Sequence, residues 1–479
     1  MRIFSHAASR CCLTGGTLAF VTAVTAVASE NAISQDRDEN IQGEERSHAT
    51  VVVQQPGVRS YTGEWQYGLQ DGFGTVTFPD GTVYTGDFVA GAAQGKGTMT
   101  FSDGRVYEGD WKHNLFEGIG RLTYSDGSFY EGSYRQGQRH GEGQLNLADG
   151  YRFLGNWENG VQHGRGVAAF SDGAVFAGEF VEGQAQGQGQ LARADGTIFV
   201  GDWTENRFTG NGQLWKPDGT ICRGEFRDGW LQGNGECAVA NSYWLSGTWE
   251  QGVLSGPGQG RFADGSAYIG YFDNGVFDGE GILQRPDGTI YAGEWQQGKN
   301  HGQGIMVTPN GTRYEGSFVA GQIHGAGQLN LADGSVFQAE WRNGLIEGNG
   351  TALLSDGSQY VGEFVASKFN GSGRLTNSGG YSYDGQWQDG VKHGSGIEEF
   401  PDGQIYDGMF VGGQRSGRGS LKTPEGYHYI GDWERGQQNG QGTAYFPNGD
   451  KYVGQFMDGM PHGEGQMTSA DGKVTVLPH

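Results

Sequence analysis

From Tyr61 onward the chain alternates large apolar residues with small or polar ones at a period of two, punctuated by glycine. In residues 61–83, Tyr61, Gly63 and Trp65 fall on one side of an extended segment, because successive strand side chains point to opposite faces. Val76 and Phe78 share one side of a second segment. Asp80-Gly81 follows, a pair suited to the positive φ values of a tight hairpin turn, and Gly68 marks the opposite connection. The stretch predicts two antiparallel strands with a common aromatic face. Gly63 stands where β-propensity disfavours it, which predicts a ring lying over its backbone.

The rest of the chain repeats this hairpin. Steps of 23 residues land on Tyr61, Tyr84, Tyr107, Tyr130, Phe153, Phe176, Phe199, Cys222, Leu245, Tyr268, Tyr291, Tyr314, Phe337, Tyr360, Tyr383, Tyr406, Tyr429 and Tyr452, eighteen units without insertion or deletion. A period of this length decides architecture before any other feature. Position 3 of the unit is Gly except at Ala339, positions 12 and 14 are always Gly, and position 16 is mostly aliphatic. Position 5 is always aromatic and alternates strictly, with Trp65, Trp111, Trp157, Trp203, Trp249, Trp295, Trp341, Trp387 and Trp433 in odd units and Phe or Tyr in even ones. Neighbouring position-5 rings are therefore expected to pack on one another as larger and smaller partners.

The pattern Tyr-x-Gly-x-(Trp/Phe)-x-x-Gly-x-x-x-Gly-x-Gly, closing on (Asp/Asn)-Gly, resembles the MORN (membrane occupation and recognition nexus) repeat, and it covers residues 61 to about 474. The resemblance implies an all-β fold, an elongated single-layer antiparallel sheet of tandem β-hairpins, in a scaffolding or interaction protein. Eighteen hairpins make about 36 strands, and ~4.8 Å between strands gives a sheet on the order of 170 Å long. A single layer has one apolar face to cover, so twisting or self-association of two copies is expected to bury it.

The ends read differently. Residues 1–28 have Arg2 and Arg10, an apolar run from Leu13 to Val27 and the small-residue site Ala26-Val27-Ala28, which predicts a cleaved signal peptide and a secreted or periplasmic protein, or a membrane-anchored one if the segment is kept. Residues 29–48 are polar and acidic and predict a flexible linker. Residues 49–60 fall into phase with the back half of a unit, with Val51 and Val53 alternating, and predict a half-repeat that caps the first sheet edge. At the other end 475–479 form a short tail, of which Val474–Leu477 are suited to a complementary half-strand.

Charge narrows the partners. The net charge is −23, with no Lys/Arg-rich run, which argues against nucleic acid and against anionic lipid. Six of the eleven histidines (His140, His163, His301, His324, His393, His462) share the polar position 11, and one Asp-Gly per unit is what a turn needs, so neither metal nor cofactor is expected. No nucleophile or acid–base constellation appears, and the expected protein is not an enzyme. The only cysteines beyond the leader, Cys222 and Cys237, occupy positions 1 and 16 of one hairpin, which predicts a disulfide in place of lost aromatic packing. Trp215, Trp230 and Trp244, the tryptophans outside position 5, fall near the same unit and are a candidate interaction patch. The function expected is a scaffold or adaptor whose aromatic groove meets a protein, a second copy, or an envelope or membrane surface. The alternative is an envelope polysaccharide-binding β-repeat, which would need its rings exposed.

Overall fold

The computed structural model describes residues 60–477. The signal, the linker and residues 49–59 of the half-repeat lie outside them, and Ser60 is the first residue of strand β1. The described chain is all-β, a single sheet of 37 strands, β1 to β37 in chain order. β1 (Ser60–Gln66) and β2 (Leu69–Thr77) form the first hairpin, and β3 (Val83–Val89) opens the next. Each strand pairs antiparallel with its neighbours in sequence, ending with β36 (Met460–Thr468) against β37 (Val474–Leu477). Part of the C-terminal tail is therefore strand. Every hydrogen-bonded neighbour is local in sequence, so stability is built unit by unit.

The two connections exchange the roles expected of them. The tight two-residue turn is at positions 7–8, where both residues have positive φ: Tyr67 (51°) with Gly68 (79°), His113 (51°) with Asn114 (66°). This mirror-image turn matches the right-handed twist of the strands it joins. At Asp80-Gly81 only Gly81 has positive φ (91°). That connection is a wider loop, residues 78–82, closed by Gly81 N–H to the Phe78 carbonyl (3.0 Å) and Phe78 N–H to the Thr82 carbonyl (2.8 Å). The aspartate acts as an acceptor: the Thr82 N–H donates to Asp80 Oδ1 at 2.9 Å, as Ser128 does to Asp126 (2.9 Å). That backbone donor holds the Asp126 carboxyl below the usual carboxylate range.

The rings also pack differently from expectation. Position-5 rings of successive units sit two strands, ~9–10 Å, apart, too far for direct contact. The position-1 ring fills the gap, edge-on to both: Tyr61 lies 5.0 Å from Trp65 and 5.4 Å from Phe88, and Tyr84 lies 5.1 Å from Phe88 and 4.9 Å from Trp111. The twelve position-1 tyrosines each donate a hydrogen bond to the carbonyl of position 4, as Tyr107 does to Asp110 at 2.9 Å. To reach it the ring lies flat on the position-14 glycine. A methyl on Gly120 would stand 2.6 Å from Cζ of Tyr107, which explains why that position is never anything else.

Eight position-5 tryptophans then tie unit to unit, donating Nε1–H to the position-14 carbonyl of the preceding unit, for example Trp111 to Gly97 at 3.0 Å. The ring face is thus buried against glycine and cross-bonded along the array.

Candidate binding groove

How tightly the ring face closes is decided by positions 10, 16 and 18. In unit 3 the position-10 residue Phe116 stacks flat on Tyr107 at 3.7 Å, and Phe277 and Phe369 do the same on Tyr268 and Tyr360. In unit 6 position 10 is Ala185, and position 18, elsewhere often aromatic, is Arg193. With that bulk missing, the face opens into a cavity of about 480 Å³ floored by Phe176, Phe180 and Trp203. A second cavity of about 440 Å³ adjoins it over Phe199 and Phe208. The two share Leu191, Arg193, Trp203 and Asn206, so they form one groove across units 5 to 8.

Each wall has a local cause. Asn206 occupies the second, left-handed position of a two-residue turn (φ 65°), and its Oδ1 accepts the Ala185 N–H at 2.7 Å, fixing one rim. The Arg193 guanidinium stands 4.9 Å from the Phe199 ring centre, and among the described residues no carboxylate lies within ion-pair distance of it. Arg207 is different, paired with Glu205 (3.1 Å) and Asp228 (3.4 Å). The groove offers an aromatic floor, one cation without an ion-pair partner, whose field reaches Asp195, and acidic rims at Asp172, Asp195 and Asp228.

From the groove onward the ring lattice is interrupted. In units 7 to 9 position 1 is Phe199, Cys222 and Leu245, and the side chain over the position-14 glycine comes instead from position 10: Phe208, Leu231 and Leu254. Cys222 stands opposite Cys237 in the register of β15 (Thr220–Arg227) and β16 (Trp230–Val239), and a disulfide joins them. Peptide mapping under alkylating, non-reducing conditions is expected to recover the two as one linked pair; recovery of both as alkylated thiols would rule the bond out. With a sequence separation of 15, its loss through Cys222→Ser and Cys237→Ser is expected to lower unfolding stability by about 3 kcal/mol.

The three extra tryptophans are not brought together. Trp215 pairs with Ile221, Ile221 with Ala238 and Ala238 with Trp244, so Trp215 and Trp244 belong to one cross-strand row at the loop end of the strands. Trp230 lies at the other end of β16, eight residues from Ala238 and so ~26 Å away. It is 60% exposed, whereas Trp244 donates to Glu236 at 3.1 Å. Nor does the sheet gather a metal site: among the described residues no group of His, Cys, Asp and Glu is placed to hold an ion.

Sequence reasoning passed over Ala185, Arg193 and Phe208, and with them a buried polar cluster in units 15 and 16. There position 16 is Glu398, 5% exposed, which accepts from Lys392 Nζ, from the Tyr381 hydroxyl (2.8 Å) and from Arg415 (3.0 and 3.2 Å). A carboxylate at an aliphatic position and cations at position 10 were the legible signals.

An open single layer of locally paired hairpins, with an internal ring lattice and a surface groove, defines a repeat scaffold or binding protein. The MORN repeat family model matches eighteen consecutive segments, from residues 61–83 to 452–474, and the chain belongs to that family. No curated protein matches it. Among solved structures, the SAS-4 (dCPAP) TCP domain of Drosophila melanogaster in complex with a proline-rich motif of Ana2 is similar at 14% identity, over 37% of this chain and 90% of that one, with a TM-score of 0.22. A mutant TCP10 domain of Danio rerio CPAP follows at 17% identity, over 50% and 94%, with a TM-score of 0.19. Virginiamycin B lyase from Staphylococcus aureus matches at 12%, over 57% and 86%, with a TM-score of 0.11. Scores this low carry no argument about this chain.

Proposed function

We propose that this chain is a non-enzymatic adaptor of the cell envelope, secreted or periplasmic, that holds a protein segment in the groove of units 5 to 8. The observation that carries the reading is the groove itself: a paired cavity with an aromatic floor and polar rims, lined by Ala185 and Arg193, where units 3, 10 and 14 stack a phenylalanine from position 10 onto the ring face. Grooves of this kind bind through buried anchors surrounded by polar contacts. The partner is either another protein or a second copy of this chain. Outside the groove the position-1 and position-5 rings are buried against glycine and one another, so a polysaccharide running along the array would meet no continuous row of exposed ring faces, which supports the adaptor over the polysaccharide reading.

The test is a photo-crosslinker placed at Arg207, on the groove rim, in the full chain in its own envelope. Adducts to one protein, or to a second copy, are expected, and Ala185→Phe, which refills the groove as Phe116 fills unit 3, should reduce them at least tenfold. Adducts unchanged by Ala185→Phe would remove the groove as the binding site. The refilling variant should keep the wild-type circular dichroism, because position 10 already accommodates Phe in other units.

A further inference from the structure

Arg139 and Arg415 are the same residue of the repeat, position 10 of units 4 and 16. They lie over equivalent rings. Arg415 lies over the position-1 ring of its own unit, Tyr406 (4.6 Å), and over the position-5 ring of the next, Trp433 (5.4 Å). Arg139 lies over Tyr130 (4.9 Å) and Trp157 (5.0 Å), the equivalent pair. Each also meets position 18 of the preceding unit, Phe400 for Arg415 (5.3 Å) and the Tyr124 hydroxyl for Arg139 (2.9 Å). One thing differs. Arg415 makes two hydrogen bonds to the carboxylate of Glu398, while the residue at the corresponding position for Arg139 is Leu122, and among the described residues no carboxylate pairs with Arg139.

A second donor beside it is also unsatisfied. Tyr134 stands directly opposite Arg139 in the register of β7 (Phe129–Arg135) and β8 (Gln138–Asn146). It is 5% exposed, and its hydroxyl is buried without a hydrogen-bond partner. Even units otherwise carry Phe here, so this hydroxyl is an addition to the lattice that the lattice does not use. A buried donor left unmade costs about 1–3 kcal/mol, and a half-buried guanidinium without a counter-ion adds to that.

We infer that Arg139, with Tyr134 and Tyr124, forms a carboxylate-binding subsite on the ring face, which takes an acidic side chain of the protein segment bound there. The chain itself supplies the template: an arginine set over the same rings in unit 16 already holds a carboxylate. The inference rests on the adaptor reading for the identity of the ligand, but the subsite can be tested without it.

The probe is propionate, the side-chain analogue of glutamate, with neutral propionamide as control, titrated at low salt into the full chain while the indole N–H signals of Trp157 and Trp433 are followed by NMR. Propionate is expected to shift Trp157 saturably and at least tenfold more strongly than propionamide. Trp433, whose arginine is already occupied by Glu398, should stay still, and Arg139→Gln should abolish the Trp157 response. Equal responses to propionate and propionamide, an equal response at Trp433, or a response that survives Arg139→Gln would each overturn the subsite. Arg139 is unchanged by the groove-filling variant Ala185→Phe, so failure of the subsite and failure of the groove are read separately.

Discussion

Replacing Glu398 by Ala is expected to cost about 3–5 kcal/mol, among the largest effects of any single substitution outside the glycines. The side chain of Glu398 is 6% exposed, and those of Lys392 and Arg415 are 21% and 15% exposed, so removing the carboxylate leaves two cations facing each other in the ring face. Replacing all three by Leu is expected to be neutral or stabilising by about 1–4 kcal/mol, because desolvation of a buried ionic group offsets most of its Coulomb gain. Leu231 and Leu254 show that units 8 and 9 accept Leu at position 10. Urea midpoints of the single and triple variants decide the matter, and a single variant as stable as wild type would show that water reaches the cations.

The same cluster sets a pH dependence. Burial alone would raise the Glu398 carboxyl, but hydrogen bonds from Lys392, Tyr381 and Arg415 outweigh it and hold the group below its ordinary value of 4.5. A carboxyl depressed in the folded state contributes stability above the unfolded value and loses it as pH falls through the folded one. The wild-type chain is therefore expected to lose more stability than the triple-Leu variant on acidification below about pH 4.5, and parallel curves would contradict the assignment.

Gly120→Ala is the second large effect. The added methyl meets the ring of Tyr107 at 2.6 Å, so the ring must leave the glycine and give up its bond to the Asp110 carbonyl. Overpacking of about 1–3 kcal/mol plus about 1 kcal/mol for the hydrogen bond predicts a loss near ~3 kcal/mol. Gly127→Ala is the control: it has open space around it but a φ of +85°, so it carries backbone strain of about 1 kcal/mol without a clash. If the two variants unfold at the same urea concentration, the clash with the ring does not set the cost at Gly120. Because each unit leans only on its neighbours, proteolysis of Gly120→Ala should begin in units 3 and 4.

Much of this was legible beforehand because the information is local and repeated. A 23-residue phase, a glycine under each ring and an aromatic at position 5 leave one solution, a meander of hairpins, and Cys222 and Cys237 faced each other by register alone. The turns were misjudged for a local reason too: Asp-Gly suggests a tight turn, yet here the aspartate accepts the N–H two residues on, and the tight turn falls at positions 7–8, where residues as unlike as Tyr67 and His113 take positive φ.

What the periodic sequence determined by itself is the architecture: the eighteen hairpins, their order, and which positions face the rings. The tertiary structure decided what those rings touch and where the face stays open. Position-5 rings are held apart by two strand spacings and bridged by tyrosine, a distance that no pattern of letters states. The groove arises because Ala185 in one strand and Arg193 in the following loop, brought by strand pairing beside Trp203 and Asn206 of the next unit, fail together to fill one volume. Periodicity specifies what each unit shares, whereas cavities and unmatched charges arise where several units' exceptions meet in space.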